Sequence, residues 1–284
     1  MGRPFALTPT VPPQPPPPVR VGKIGVNLVG PGSPNPVYQL QSALLERGKP
    51  LGLVRVTNEH KAVLGLECEL AIFRVKGAGR AEPNPLGYPH PVTGVPRVWN
   101  GAEWFALWWP SLAAARREAG KRLAYTLLNE VFDMAHVAFW TRFYTELMDA
   151  ATQHGVTITV GNFAAATFNE AQAAQLVPLA KEAARRGHIM SGNVYWWDEA
   201  PERFGYLVPL MRAVPQAEWV IEELGWAAQD AAYRGYVALR VLLARYRETY
   251  PHTDAALWAF NGSGGGWPHS QIPVEDAVAA IAAG

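Results

Sequence analysis

The chain has 284 residues, 49% of them hydrophobic, with 25 basic and 24 acidic side chains and a net charge of +1. That length accommodates one large core, and the balanced charge argues against nucleic-acid binding, which needs clustered Lys and Arg to displace phosphate counterions. The single cysteine, Cys68, excludes an internal disulfide and a Cys-based metal centre, and no apolar run approaches the length of a membrane helix.

Residues 1–20 read as a Pro-rich tail. Pro12-Pro13-Gln14-Pro15-Pro16-Pro17-Pro18 favours polyproline II and joins neither a sheet nor a helix. Its expected role is a semi-rigid spacer linking to another module. The N-terminus lacks the charged segment and apolar core of a signal peptide. Cytoplasmic residence, or release with a phage or by a non-classical route, is the resulting expectation.

From residue 21 to residue 284 the pattern is strand then helix, repeated. Strands are predicted at 23–28, 53–56, 70–75, 123–129, 156–160, 189–195, 219–223 and 255–260. The longer helices are predicted at 37–47, 138–154, 169–186, 201–213, 229–250 and 273–282, with a short one after Asn58 and another ending near Gly120. Strand runs are short and apolar, whereas helix runs carry apolar residues at three-to-four spacing. Eight such units in about 260 residues predict a single (β/α)₈ TIM barrel rather than an open doubly wound sheet. A doubly wound sheet usually has a Gly-rich first βα turn, and here that turn is Gly30-Pro31-Gly32-Ser33-Pro34. The connection over 77–96 is long, as binding loops are.

Chemistry in such a barrel sits where strands end and helices begin. Those positions hold Asn27, Arg55, Arg74, Asn129, Glu130, Asn162, Tyr195, Glu223, Trp258 and Asn261. Two of them follow apolar strands that stop on a carboxylate: Leu127-Leu128-Asn129-Glu130, and Trp219-Val220-Ile221-Glu222-Glu223-Leu224-Gly225-Trp226. A buried unpaired charge is costly, so two such endings point to two acids facing one cleft, the pair that glycoside hydrolysis uses. Asn27 and Asn162 join the substrate-binding candidates by position. Trp196 and Trp226 join them because flat aromatic faces suit sugar rings; Trp108, Trp109, Trp197 and Trp267 share that expectation.

The placement of Asn129-Glu130 on the fourth strand and Glu223-Leu224-Gly225 on the seventh resembles the clan-A retaining glycoside hydrolases. The resemblance spans residues 23–284 and implies a (β/α)₈ fold and hydrolysis of a β-linked glycan. It implies Glu130 as acid/base, Glu223 as nucleophile and Asn129 as a ligand of the sugar 2-hydroxyl. Tyr195 would orient the nucleophile, Trp258 would form an aromatic platform, and Arg55 or Arg74 would keep the nucleophile ionised. Two positions depart from the family pattern: Asn193 stands where a His is common, and Val131 follows the acid/base where a small residue or Pro is common. Strict alternation along the strand would turn Glu222 toward the helix layer if Glu223 faces the barrel mouth.

Rival chemistries find less support. The seven histidines show no His-x-His or His-x₃-His spacing, so neither a metal nor another cofactor is called for. Gly262-Ser263-Gly264-Gly265-Gly266 offers backbone donors for phosphate, but no Lys or Arg follows it. No Gly-x-Ser-x-Gly elbow is present. The alternative from a different class is a carbohydrate-binding barrel without turnover.

Overall fold

In the computed structural model the described residues are 22–28, 35–49, 51–57, 64, 66–75, 83–118, 122–226, 234–258 and 272–283. The Pro-rich tail, the first βα turn, the segment after Asn58, Asn261, the glycine run at 262–266 and Trp267 lie outside them.

Eight parallel strands close into a barrel in chain order, with β1 paired to both β2 and β8. They are β1 (Ile24–Leu28), β2 (Leu51–Val56), β3 (Cys68–Arg74), β4 (Leu123–Thr126), β5 (Thr157–Phe163), β6 (Ile189–Trp196), β7 (Glu218–Trp226) and β8 (Asp254–Leu257). Among the described residues seven helices cover the outside: α1 (Asn35–Leu45), α2 (Gly101–Glu118), α3 (Val137–Gln153), α4 (Glu170–Arg186), α5 (Val208–Ala213), α6 (Tyr236–Thr249) and α7 (Val274–Ala282). The expected fold class is the one observed. No helix among the described residues is long and apolar enough to cross a membrane.

The helix caps follow from local chemistry. Asn169 and Gln172 form a reciprocal capping box at the start of α4, and Gly187 ends that helix in the left-handed region. The helix predicted over 201–213 splits into a 3₁₀ turn at Pro201–Gly205 and the short α5. Pro209, which has no N–H to donate, falls in the first turn of α5, where that loss costs nothing.

The described part of the loop before α2 is ordered by its own turns. Asn84 accepts from the amides of Gly87 and Tyr88. Pro89 and Pro96 form an isolated bridge. The loop then packs down through the Trp99 and Tyr88 rings onto Trp104.

The core has two parts. Between strands and helices lies the large apolar shell that includes Val26, Val54, Phe73, Tyr125, Trp140 and Leu224. Inside the barrel lies a separate plug of Leu53, Leu70, Ile72, Ala124, Ile189, Val220 and Ala256. Two-residue alternation carries each strand from that plug to the next inward position, so Arg55 stands above Leu53, Arg74 above Ile72, Thr126 above Ala124 and Glu222 above Val220.

Candidate active site

The polar layer at the C-terminal end of the barrel is organised around Arg55. The guanidinium is fully buried. Its Nε donates to Glu222 Oε2 at 2.6 Å, its Nη1 to Glu223 Oε1 at 2.8 Å, and its Nη2 to Asn129 Oδ1 at 2.9 Å. Two residues singled out from sequence, Asn129 and Glu223, therefore meet on a third, Arg55, together with Glu222. A second cation, Arg74, places Nη1 3.7 Å from Glu223 Oε1. Burial by itself would pull the Arg55 pKa down, but Glu222 and Glu223 outweigh it and leave the group above its usual value.

Glu222 does not face the helix layer. Its side chain is fully buried inside the barrel, where Thr126 Oγ1 lies 2.8–2.9 Å from both carboxylate oxygens and 2.8 Å from Thr159 Oγ1. Alternation from Val220 carries Glu222 inward and fails only at the next residue, Glu223, because β7 carries a bulge. Gly192 pairs with Ile221 and Asn193 with Glu223, which leaves Glu222 as the extra residue, and the pairing with β8 shifts over the same stretch. A bulge lets two successive side chains face the same way. Glu222 and Glu223 both do so, and both pair with the buried Arg55.

Glu223 is held from two sides. Tyr195 Oη donates to its Oε2 in a short hydrogen bond, while Arg55 takes its Oε1. Burial first, and then the negative charges of Glu223 and Glu130, push the Tyr195 phenol well above its usual range, so it remains a proton donor.

Glu130 reaches the same place by a different route. Strand β4 stops at Thr126, three residues short of the predicted end, and its pairing to β5 is confined to Ala124↔Thr157 and Tyr125↔Ile158. The chain then bends until Glu130 adopts φ +56°, a left-handed conformation that a non-glycine residue rarely takes. Asn162, itself at φ +37°, accepts the Glu130 amide with both its backbone and side-chain oxygens at 3.2 Å. Ser191 Oγ in turn accepts the Asn162 amide at 3.2 Å. Two adjacent strained residues locked by hydrogen bonds are typical of functional sites.

Asn193 Nδ2 donates to Glu130 Oε1 at 2.7 Å. Glu130 is exposed to the cleft on one side, while Asn193 and the barrel floor crowd its carboxyl on the other. Lost hydration, followed by repulsion from Glu223, raises its pKa to about 6 despite the Asn193 hydrogen bond.

The other candidates divide. Asn27 Nδ2 reaches the Glu222 carbonyl at 3.4 Å, and so braces β7 from β1. Asn162 serves the Glu130 backbone. Trp258 lies against Gly225, where an added Cβ would come within 3.1 Å of the Trp258 carbonyl oxygen and 3.4 Å of its ring.

Trp196 and Trp226 are register partners on the side of their strands opposite Tyr195 and Glu223. Trp196 packs on Phe204, beneath the Arg245 guanidinium, and donates to Asp198. Trp226 is a buried core residue. Both leave the cleft because side chains alternate on these strand ends. Trp108 packs on Trp104 and Tyr88, and Trp109 on Phe105 and His154, so these two belong to the helix layer. Trp197 stands edge-on to Tyr195 at 6.3 Å.

The residues that motif placement did not mark for this site are Glu222, Thr126 and Asn193. Their inward spacing above the plug was the available signal for Thr126 and Asn193. Among the described residues no group of three or more His, Cys, Asp or Glu side chains could hold a metal ion. A groove of about 640 Å³ lies elsewhere, outside the barrel between α4, α5 and the end of α6, away from these acids.

No protein-family model matches the chain, and no curated protein matches it. Its fold is shared with solved glycoside hydrolases. The catalytic domain of a mannanase from Streptomyces sp. SirexAA-E superposes with a TM-score of 0.56 at 13% identity, over 93% of this chain and 87% of that one. An endoglucanase from Pseudomonas stutzeri gives 0.54 at 17%, over 91% and 94%. A glycoside hydrolase family 30 subfamily 8 xylanase from Clostridium acetobutylicum gives 0.54 at 10%, over 92% and 70%. The barrel that the motif placement implied is thus the barrel of enzymes named for acting on mannan, glucan and xylan.

Proposed function

We propose that the chain is a clan-A retaining glycoside hydrolase acting on a β-linked poly- or oligosaccharide, with residues 21–284 as its catalytic domain and residues 1–20 as a linker. One observation carries this reading. Two carboxyls, Glu130 and Glu223, meet in one polar layer: Arg55 and Tyr195 hold Glu223, while burial and then the charge of Glu223 push the Glu130 carboxyl up to about 6.

Glu223 is the nucleophile. Arg55, Arg74 and Tyr195 surround it with donors and positive charge that favour the carboxylate. Glu222 cannot take this role, since its oxygens are fully buried and already engaged by Arg55 and Thr126. Glu130 is the acid/base, since near pH 6 it can both give and take a proton. Asn129 commits Oδ1 to Arg55, which leaves its Nδ2 to donate to a sugar hydroxyl.

In the first step a Glu223 oxygen bonds the anomeric carbon, the glycosidic C–O bond breaks, and the Glu130 proton moves to the leaving oxygen. In the second, Glu130 takes a proton from water, the water oxygen bonds the anomeric carbon, and Glu223 leaves as carboxylate. Trp258, beside Gly225, is the aromatic candidate for the sugar face, and Trp197 extends that surface next to Tyr195.

The test is trapping. A 2-fluoro β-glycoside should inactivate the protein and leave its sugar on the peptide containing Glu223. Glu223→Gln should lower turnover of an aryl β-glycoside by more than about 10⁴-fold while sugar binding persists. Labelling of Glu222 would reverse the assignment. Binding of a glycan without turnover by wild-type protein, across a broad panel, would replace the hydrolase with a carbohydrate-binding barrel.

A further inference from the structure

Glu222 is a buried acid for which the double-displacement mechanism has no use. It sits beside the nucleophile, on the extra residue of the β7 bulge, and spends its carboxylate inside the protein. Arg55 Nε reaches Oε2 at 2.6 Å, and Thr126 Oγ1 reaches both oxygens at 2.8–2.9 Å. Thr126 has one hydroxyl proton. If it donates that proton to Glu222, Thr159 Oγ1 at 2.8 Å must donate to Thr126. The pair Thr159–Thr126 is then a directed relay that ends on Glu222. The Glu222 main chain is braced as well, by Asn27 Nδ2 from β1.

Arg55 has a planar fork, so the direction of one N–H group sets the others. With Nε held by Glu222, Nη1 points to Glu223 and Nη2 to Asn129. Coulomb energies add pairwise, so Glu222 leaves the attraction between Arg55 and Glu223 intact but adds its own negative potential at Glu223 and Glu130.

We propose that Glu222 is a positioning residue: a second carboxylate, kept from substrate, that aims the Arg55 guanidinium and offsets part of its positive potential, and so sets how much of that potential is felt at Glu223 and Glu130. The proposal deepens the glycosidase reading and rests on it for its kinetic consequence, though not for its electrostatic one.

The charged and titratable groups around Glu222 come from every side of the barrel. Arg55 approaches from β2 and Arg74 from β3, Glu130 follows β4, Tyr195 stands on β6 and Glu223 on β7. Tyr144 of α3 senses the Glu222 charge from outside, and burial keeps its phenol protonated throughout. With Glu222 and Glu223 ionised and Glu130 protonated, the two arginines balance the two carboxylates. Removing the Glu222 charge leaves a net positive site, and a positive site favours ionisation of both remaining acids. Both limbs of the pH–rate profile therefore move to lower pH in Glu222→Gln.

The experiment has two readouts. The first is the carbon-13 titration of the Glu130 side-chain carboxyl, which needs no turnover. In Glu222→Gln its midpoint should fall by roughly 0.5–1 pH unit. The second is the pH dependence of kcat/KM on an aryl β-glycoside, whose falling limb should move by the same amount. Glu222→Asp keeps the charge and should leave both near their wild-type values.

A residue that only supports folding would lower yield or kcat at every pH without moving either midpoint, and an unmoved Glu130 midpoint overturns the proposal. If Glu222→Gln does not fold, Thr126→Val takes its place. It removes the hydroxyl dipole that partly screens the Glu222 charge, so the negative potential at Glu130 grows and its midpoint should move upward; no movement there overturns the proposal equally. A shifted midpoint in a protein that hydrolyses nothing sustains the electrostatic role of Glu222 and sinks the glycosidase reading alone.

Discussion

The lower and upper halves of the barrel interior are built by the same strands under the same alternation, yet they hold opposite chemistry. Below, Leu53, Leu70, Ile72, Ala124, Ile189, Val220 and Ala256 form an apolar plug. One inward step higher, Arg55, Arg74, Thr126 and Glu222, with Asn193 two steps above Ile189, form a charged and hydrogen-bonded layer. The plug gains from leaving water. The upper layer loses hydration and recovers it only through near-complete pairing, which seldom improves stability over an apolar alternative. The difference between the layers fits the proposed activity, with the upper one serving chemistry and the lower one folding, the division expected of the two faces of such a barrel.

The comparison breaks if substitutions in the two layers behave alike. The largest expected effect is on activity in the upper layer. Glu130→Gln should lower kcat by roughly 10²–10⁴-fold on substrates with poor leaving groups, with little change in thermal unfolding, because the amide can still meet Asn193. Next comes Arg55→Met, which strands Glu222 and Glu223 without their shared cation. It should cost about 3–5 kcal/mol in denaturant unfolding as well as activity. A fully active, fully stable Arg55→Met protein would dissolve the distinction drawn between the layers.

In the lower layer, Ile72→Ala should cost about 2–4 kcal/mol of stability while the pH–rate profile of the folded protein stays in place. A moved profile would mean that the layers are coupled. The pH dependence sharpens the contrast further. Glu130 must be protonated to act as an acid, so kcat/KM should fall about tenfold per unit as pH rises beyond about 6. The linkage has the same sign. The fold holds this proton more tightly than the unfolded chain, whose value is near 4.5, so the contribution is complete below that value and is lost as pH rises through about 6.

The smallest expected effect is at Asn162→Gly. It relieves the strain at φ +37° but deletes the side-chain acceptor of the Glu130 amide. Stability should change by about 1 kcal/mol or less, while kcat falls more than KM rises because Glu130 is less well held.

Much of this was legible along the chain. Eight apolar runs and their helical partners specify the barrel, since short apolar strands and three-to-four periodic helices have few other ways to bury their faces. Strand ends located Asn129, Glu130, Tyr195 and Glu223, which the structure does bring together. Alternation misled for the pair Glu222 and Glu223, which face the same way, because a bulge leaves no mark in a sequence until the neighbouring strand is known. The tryptophans misled for a related reason. Trp196 and Trp226 do lie at strand ends, but which side of a strand a ring occupies depends on register, so adjacency in sequence to Tyr195 put Trp196 on the opposite face.

The sequence by itself determined the repeating strand–helix order, the apolar plug and the carboxylates at the ends of the fourth and seventh strands, because hydrophobic period and chain position are local properties. Tertiary structure alone decided that Arg55 would serve three partners, that Asn193 would reach Glu130, and that Glu222 and Glu223 would face the same way. Those outcomes depend on register shifts and left-handed turns, which are settled only when distant strands close around one another.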